Sequence, residues 1–167
     1  VLYGMQVPEA GGDTMYASTV AAYEALDDGM KKMLDGVKAV YTNANTYGKD
    51  AKRFQDGVSK AMNVVAAEVK EVAHPVVRTH PETGKKGLYL SVIHFSHFEG
   101  MSPEQSKPLY DTLMAHATKP EFTLRFRWKT GSVAFWDNRC TMHYAVDDWI
   151  ESTRVMQRVT LEGDRPF

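Results

Sequence analysis

The stretch Trp136-Asp137-Asn138-Arg139-Cys140-Thr141-Met142-His143-Tyr144-Ala145-Val146, with Arg154 and Arg158 shortly after it, decides how this chain is read. One histidine follows a tight polar turn, and two arginines then lie four positions apart. On an extended strand that spacing puts Arg154, Met156 and Arg158 on one face and Val155, Gln157 and Val159 on the other. A neutral imidazole is a common ligand for a transition metal. A guanidinium fork grips a carboxylate through two parallel hydrogen bonds. A metal ligand followed by anion grips describes a site where a metal and a small carboxylate meet.

Working outward, the surrounding sequence reads as strands. Residues 122–128 alternate, with Phe122, Leu124, Phe126 and Trp128 on one side and Thr123, Arg125 and Arg127 on the other. Residues 132–136, 142–146 and 154–161 complete the C-terminal strands. At the other end, residues 1–7 read as a buried strand, residues 8–13 with Gly11-Gly12 as a turn, and residues 14–17 as a short strand. Ser18 or Thr19 caps a helix over residues 20–26, and Asp27 or Asp28 begins a second that Gly36 ends. Residues 37–41 are β-prone. Residues 43–57 read as a polar loop; residues 59–72 carry a helical pattern, with a mobile segment as the open alternative. Residues 74–79 and 87–91 flank the turn Pro81-Glu82-Thr83-Gly84 as a hairpin. Ser102-Pro103-Glu104 starts a helix that runs to about Ala117. Many strands and few helices make a mainly β fold with helical insertions, a β-sandwich or jelly roll.

Composition sets the outer bounds. Of 167 residues, 43% are hydrophobic and 25% charged, enough for one domain with a core. A formal net charge of −1 gives no bulk electrostatic case for nucleic acid or an anionic membrane as partner. Cys140 is the single cysteine, so an internal disulfide is excluded and a reducing, cytoplasmic compartment is expected. No apolar run reaches the length of a membrane-spanning helix, and no signal peptide pattern is visible. The chain opens on strand-like sequence without a methionine, which leads us to expect that Val1 lies inside a longer protein.

Three blocks carry a resemblance: Gly11-Gly12-Asp13-Thr14 with Ala21-Ala22-Tyr23-Glu24-Ala25-Leu26; His74-Pro75-Val76-Val77-Arg78-Thr79-His80-Pro81-Glu82-Thr83-Gly84; and Trp136-Asp137-Asn138-Arg139 through His143, Arg154 and Arg158. In order and spacing the chain resembles the taurine dioxygenase family, Fe(II)- and 2-oxoglutarate-dependent oxygenases built on a double-stranded β-helix, or jelly roll. The resemblance implies that His143 is the second histidine of a two-histidine, one-carboxylate iron site. It implies that Arg154 and Thr14 hold the 2-oxoglutarate cosubstrate and that Arg158 faces an anionic substrate. The family's His-x-Asp motif, which supplies the other two ligands shortly before Gly-Gly-Asp-Thr, has no counterpart in the ten residues before Gly11. Residues 1–167 are therefore expected to be the C-terminal portion of a single dioxygenase domain, incomplete at its N-terminal side. The implied reaction takes dioxygen and 2-oxoglutarate to succinate and carbon dioxide while hydroxylating a small organic substrate of the sulfonate, sulfate ester or aryloxy acid class. A homo-oligomer is left open.

Each residue also has a plainer reading. His143 can be a packed histidine, Arg154 and Arg158 surface cations, and Thr14 a turn residue. Trp136 is read as core or pocket wall, and Asp137, Asn138 and Arg139 as the lock of the turn that aims His143. His94 is read as lining the substrate pocket. His80-Pro81-Glu82 has the form of an iron motif but lies in a proline turn. His94 and His97 as a zinc pair would describe a hydrolase, yet residues three apart on a strand point to opposite faces. Cys140 is read as a packing residue rather than a nucleophile. A jelly-roll binding module without redox chemistry is the remaining alternative.

Overall fold

The computed structural model describes residues 1–47, 68–149 and 152–167. The chain forms β1 (Leu2–Gln6), β2 (Thr14–Ser18), α1 (Thr19–Glu24), α2 (Asp28–Leu34), β3 (Lys38–Thr42) and the short α3 (Ala44–Tyr47). These are followed by β4 (Glu71–Pro75), β5 (Val77–Thr79), β6 (Lys86–Leu88), β7 (Phe95–Phe98) and α4 (Pro103–Ala117). A 3-10 turn (Pro120–Phe122) leads into β8 (Thr123–Phe126), β9 (Val133–Ala134), β10 (Thr141–Ala145) and β11 (Val155–Arg158). The fold is mainly β with helical insertions, a jelly roll, as expected.

Two three-stranded sheets build the jelly-roll layers, in the orders β11-β1-β9 and β10-β2-β8. All their pairings are antiparallel. Tyr16, Phe126 and Trp128 of one layer pack with Leu2, Ala134 and Met156 of the other, so the layers face each other across a small core. The arginine strand β11 pairs with β1, Leu2 opposite Arg158, and not with the histidine strand β10. The two strands belong to opposite layers, and each uses a central strand, β1 or β2, to reach its sheet.

The third sheet, β4-β3-β7, and the β5–β6 hairpin pack with the helices over a larger core. Ala22, Leu34, Ala39, Val76, Phe98, Leu113 and Ala117 there have no exposed surface. α4 starts where expected. The Ser102 hydroxyl accepts the Gln105 amide and the Gln105 side chain accepts the Ser102 amide, a reciprocal cap. Ser18 and Asp27 cap α1 and α2 through their side-chain oxygens. Gly36 takes φ +74° just past α2.

The sequence reading departs from the structure at four places. β1 is not buried: Tyr3 and Met5 are exposed, because the sheet covers only one of its faces. Residues 44–47 are helical within the segment read as loop. Of the segment read as helical, residues 68–70 have no regular structure and residues 71 and 72 are strand, paired with Thr42 and Tyr41; residues 48–57 and 59–67 of the two segments lie outside the described residues. Leu124 shares a face with buried Tyr16, its cross-strand partner, yet stays exposed, because the small core does not extend that far along edge strand β8.

Candidate active site

β2 is the floor of the site. Tyr16 stands opposite His143 on β10 and opposite Leu124 on β8, and Thr14 stands opposite Ala145 and Phe126. Directly opposed residues share a face, and alternate residues along a strand repeat it. His143, Tyr16 and Thr14 therefore all face the inner layer. On the opposing sheet Gly4 faces Met156 and Leu2 faces Arg158, which puts Met156 and Arg158 on one face; Arg154 precedes β11, past the register shift between Gly4 and Gln6, so the pairing does not extend to it. The parity read from the arginine spacing is seen for Met156 and Arg158.

The turn before His143 is pinned at each residue. The Trp136 indole donates to Asn138 Oδ1 at 2.7 Å. Asp137 takes a guanidinium pair from Arg139, at 2.6 Å from Nη2 and 2.9 Å from Nε, and also accepts the Arg139 amide. His80 Nε2 lies 3.1 Å from Asp137 Oδ2. His80 Nδ1 accepts the amides of Glu82 and Thr83, so the ring proton sits on Nε2 and is donated to the carboxylate. Hydrogen bonds from Arg139, the turn amide and His80 hold the Asp137 carboxyl well below the usual range. The hairpin of β5 and β6 is thereby fastened to the turn that delivers His143.

His143 packs against Trp136 and Tyr16, with ring centroids 5.1 and 6.3 Å away. Desolvation first, and the Arg158 charge second, lower its pKa, which favours the neutral imidazole that a metal needs. His143 lies on the wall between two cavities. One, about 900 Å3, is also lined by Arg158, Arg78, Tyr89 and Trp136. The other, about 730 Å3, is lined by His94, His74, Tyr41 and Met142. Arg154 lines neither, which corrects the expectation that His143, Arg154 and Arg158 enter one cavity.

Arg154 instead crosses the Gly11-Gly12 turn. Its Nε donates to Gly12 O at 3.1 Å, and its Cζ lies 5.1 Å from the Trp149 ring centroid. A Cβ on Gly12 would meet Arg154 Cδ at 3.0 Å, so glycine is what lets the side chain pass. The turn itself is held by Asp148, whose Oδ1 accepts the Gly12 amide at 2.6 Å. Among the described residues, Arg154 Nη2 is buried with no hydrogen-bond partner, and so is the Tyr16 hydroxyl. Thr14, also buried, accepts the Trp128 indole N–H at 2.9 Å, which leaves its own hydroxyl proton to donate elsewhere. A buried donor left unpaired on a half-buried cation is costly unless an acceptor joins it. The unpaired Arg154 donor and the free Thr14 hydroxyl proton suit a carboxylate as partner.

The metal is only partly provided for. Among the described residues, the one group of three His, Cys, Asp or Glu side chains close enough to share an ion is His80, Asp137 and Cys140. Its carboxylate is saturated by Arg139 and its thiol donates to Asp137 O, so a cation would have to displace an existing ion pair. His143 has no second ligand beside it in that group. His94 and His97 belong to no such group; His94 Nδ1 donates to Thr42 O and His97 Nδ1 lies 3.0 Å from Ser96 Oγ. The zinc reading has no geometry to rest on among the described residues. Glu82, of the His80-Pro81-Glu82 form, pairs with Arg139. Tyr16 was not singled out in the sequence, although its two-residue offset from Thr14 was the signal that could have found it.

The family model described as "Taurine catabolism dioxygenase TauD, TfdA family" matches residues 1–160. The chain is 40% identical over 165 residues to an alkylsulfatase of Acinetobacter baylyi, covering 98% of this chain and 52% of that protein. It is 39% identical over 168 residues to an alpha-ketoglutarate-dependent sulfate ester dioxygenase of Pseudomonas putida, covering 99% of this chain and 55% of that protein. Among solved structures, a taurine dioxygenase from Burkholderia xenovorans superposes with a TM-score of 0.78 at 38% identity, over 99% of this chain and 52% of that one. AAD-2 in complex with Mn(II) and N-oxalylglycine gives 0.82 at 32% identity, over 99% and 63%. The chain spans about half the length of the curated relatives it matches.

Proposed function

The chain belongs to the taurine catabolism dioxygenase TauD, TfdA family, and from that membership and the donor set between the layers we propose that it is the C-terminal portion of a single Fe(II)- and 2-oxoglutarate-dependent dioxygenase domain. The observation that carries this reading is the buried Nη2 of Arg154, unpaired among the described residues and held at Gly12, with Thr14 and Tyr16 following on the floor strand that pairs with the His143 strand.

His143 is the iron ligand proposed here among the described residues, and the family's His-x-Asp motif has no counterpart in the ten residues before Gly11. Arg154 and Thr14 bind the far carboxylate of 2-oxoglutarate. When bound, iron and 2-oxoglutarate supply the dioxygen chemistry that couples oxidative decarboxylation to substrate hydroxylation. This chain's residues orient and exclude. The Asp137–Arg139–His80 lock fixes the strand that presents His143. Arg154 anchors the cosubstrate's far end so that its keto-acid end is directed toward His143. Arg158, whose charge already acts on His143 across the first cavity, faces the anionic group of the primary substrate. His94 lines the second cavity as a wall for the substrate's organic part. The relatives' names support an anionic substrate: one is a sulfate ester dioxygenase, and another, from Cupriavidus pinatubonensis, is a 2,4-dichlorophenoxyacetate dioxygenase. The sulfonate, sulfate ester and aryloxy acid classes are the ones proposed here, with dioxygen as co-reactant. A cytoplasmic setting belongs to the same proposal and rests on Cys140 having no cysteine to pair with. No helix among the described residues is long and apolar enough to cross a membrane.

The test is succinate release by the full-length protein, with Fe(II) and 2-oxoglutarate, against a panel of alkyl sulfates, alkyl sulfonates and aryloxyacetates. Release that depends on Fe(II) and is stimulated by at least one anion is expected. No release with any of them, together with unimpaired binding of an anion, would favour the non-catalytic binding module.

A further inference from the structure

Two tyrosines in this chain are buried to nearly the same degree, Tyr41 at 6% exposure and Tyr16 at 7%. Tyr41 donates its hydroxyl to Tyr89 O at 2.5 Å. Among the described residues, Tyr16 has no partner for its hydroxyl. A buried hydroxyl ordinarily finds a partner, because leaving it unpaired forfeits its hydration without return. The environment of the Tyr16 hydroxyl is specific. Its ring is fixed edge-on to Trp136 at 5.1 Å and faces His143, so it has little freedom to swing out toward water. The positive charge of Arg154 acts on the phenol and offsets part of the effect of burial. The orphaned Arg154 Nη2 and the orphaned Tyr16 hydroxyl are both buried; Arg154 is held by its Nε at Gly12, just before β2, and Thr14 and Tyr16 follow on one face of that strand.

We propose that the Tyr16 hydroxyl is a third donor, beside Thr14 and Arg154, to the far carboxylate of the dicarboxylate cosubstrate. This rests on the reading that Arg154 binds that carboxylate. A carboxylate has about four acceptor sites. The Arg154 Nη2 and Thr14 hydroxyl occupy two of them, and a phenol aimed from the floor strand fills another without adding charge. Tyr16 thereby acts as a specificity determinant: it favours 2-oxo acids that carry a second carboxylate over those that end in a methyl group. It also ties cosubstrate to metal ligand, since the same ring packs on His143.

The experiment is anaerobic calorimetric titration of the Mn(II)-loaded full-length protein as wild type, Tyr16→Phe and Arg154→Ala. The probes are 2-oxoglutarate and 2-oxobutyrate, which share the keto-acid end and differ at the far carboxylate. Tyr16→Phe should weaken 2-oxoglutarate about tenfold, the scale of one hydrogen bond to a charged group, and leave 2-oxobutyrate unchanged. Without ligand, the Tyr16→Phe protein should melt no lower than wild type, because the change removes an unpaired buried hydroxyl. Equal weakening of both ligands, or a lowered melting temperature in the ligand-free protein, would show a packing role and overturn the proposal. Unchanged 2-oxoglutarate binding in Tyr16→Phe with a large loss in Arg154→Ala would overturn it while leaving the cosubstrate reading intact. No loss in either variant would overturn both.

Discussion

The core beneath α1, α4 and the β3 sheet and the core between the jelly-roll layers solve opposite problems. In the first, seven residues from Ala22 to Ala117 have no exposed surface, and its buried Tyr41 hydroxyl has an acceptor. In the second, only Tyr16, Trp128 and Ala134 are buried apolar residues, and two of its polar atoms, the Tyr16 hydroxyl and Arg154 Nη2, have no partner. One region is filled by its own side chains; the other is shaped for something to complete it. Stability and function are thus divided within one short chain, and substitutions in the two regions should be separable by whether they move unfolding or ligand binding.

The largest effect tests the filled core. Phe98→Ala should cost about 3–5 kcal/mol of unfolding free energy by denaturant titration, from lost burial plus the cavity left behind. A cost below about 1 kcal/mol would mean that this core is not what holds the fold. Next comes the open core's own scaffold. Thr14→Val keeps the shape but strands the Trp128 indole N–H, at a cost of about 1–3 kcal/mol, and should also weaken 2-oxoglutarate binding. Loss of stability with unchanged binding would make Thr14 purely structural. Gly12→Ala should cost about 1–2 kcal/mol for its left-handed backbone. It should weaken 2-oxoglutarate further by displacing Arg154, whose Cδ lies 3.0 Å from where the new methyl would sit.

The smallest effect concerns the lock between the two regions. The Asp137 carboxyl is held below its ordinary value by Arg139, its turn amide and His80. A depressed carboxyl pKa contributes stability that is present above the unfolded value, about 4, and is lost as pH falls toward the folded one. Asp164 is depressed likewise, chiefly by its hydrogen bond from Arg78. The difference in urea midpoint between wild type and Asp137→Asn should therefore be constant near neutrality and shrink below about pH 4. A difference that grows on acidification would contradict the lock.

Much of this was legible in the sequence for physical reasons that can be named. Period-two alternation put Met156 and Arg158 on one face, and the serine cap with proline after it located the start of α4. Sheet partnership was not legible. Nothing in residues 154–161 says that β11 joins β1 across 150 residues of chain rather than nearby β10, because register is set by layers the pattern does not encode. The His80–Asp137 bond was missed for the same reason, the partners being separated by 57 positions. Tyr16 was missed because an aromatic on a short strand reads as packing; only its unpaired hydroxyl distinguishes it from Tyr41.

The measurement that bears most directly on the open core is the affinity of the full-length, Mn(II)-loaded protein for 2-oxoglutarate with Arg154 present and removed. Breaking a buried charge pair costs about 3–5 kcal/mol, so Arg154→Ala should bind at least about a hundredfold more weakly. Its metal affinity and melting temperature should stay close to wild type. Arg154→Lys should recover only part of the loss, since a point charge cannot reproduce the guanidinium fork. Equal 2-oxoglutarate affinity in wild type and Arg154→Ala would contradict the assignment of the space between the layers to the cosubstrate.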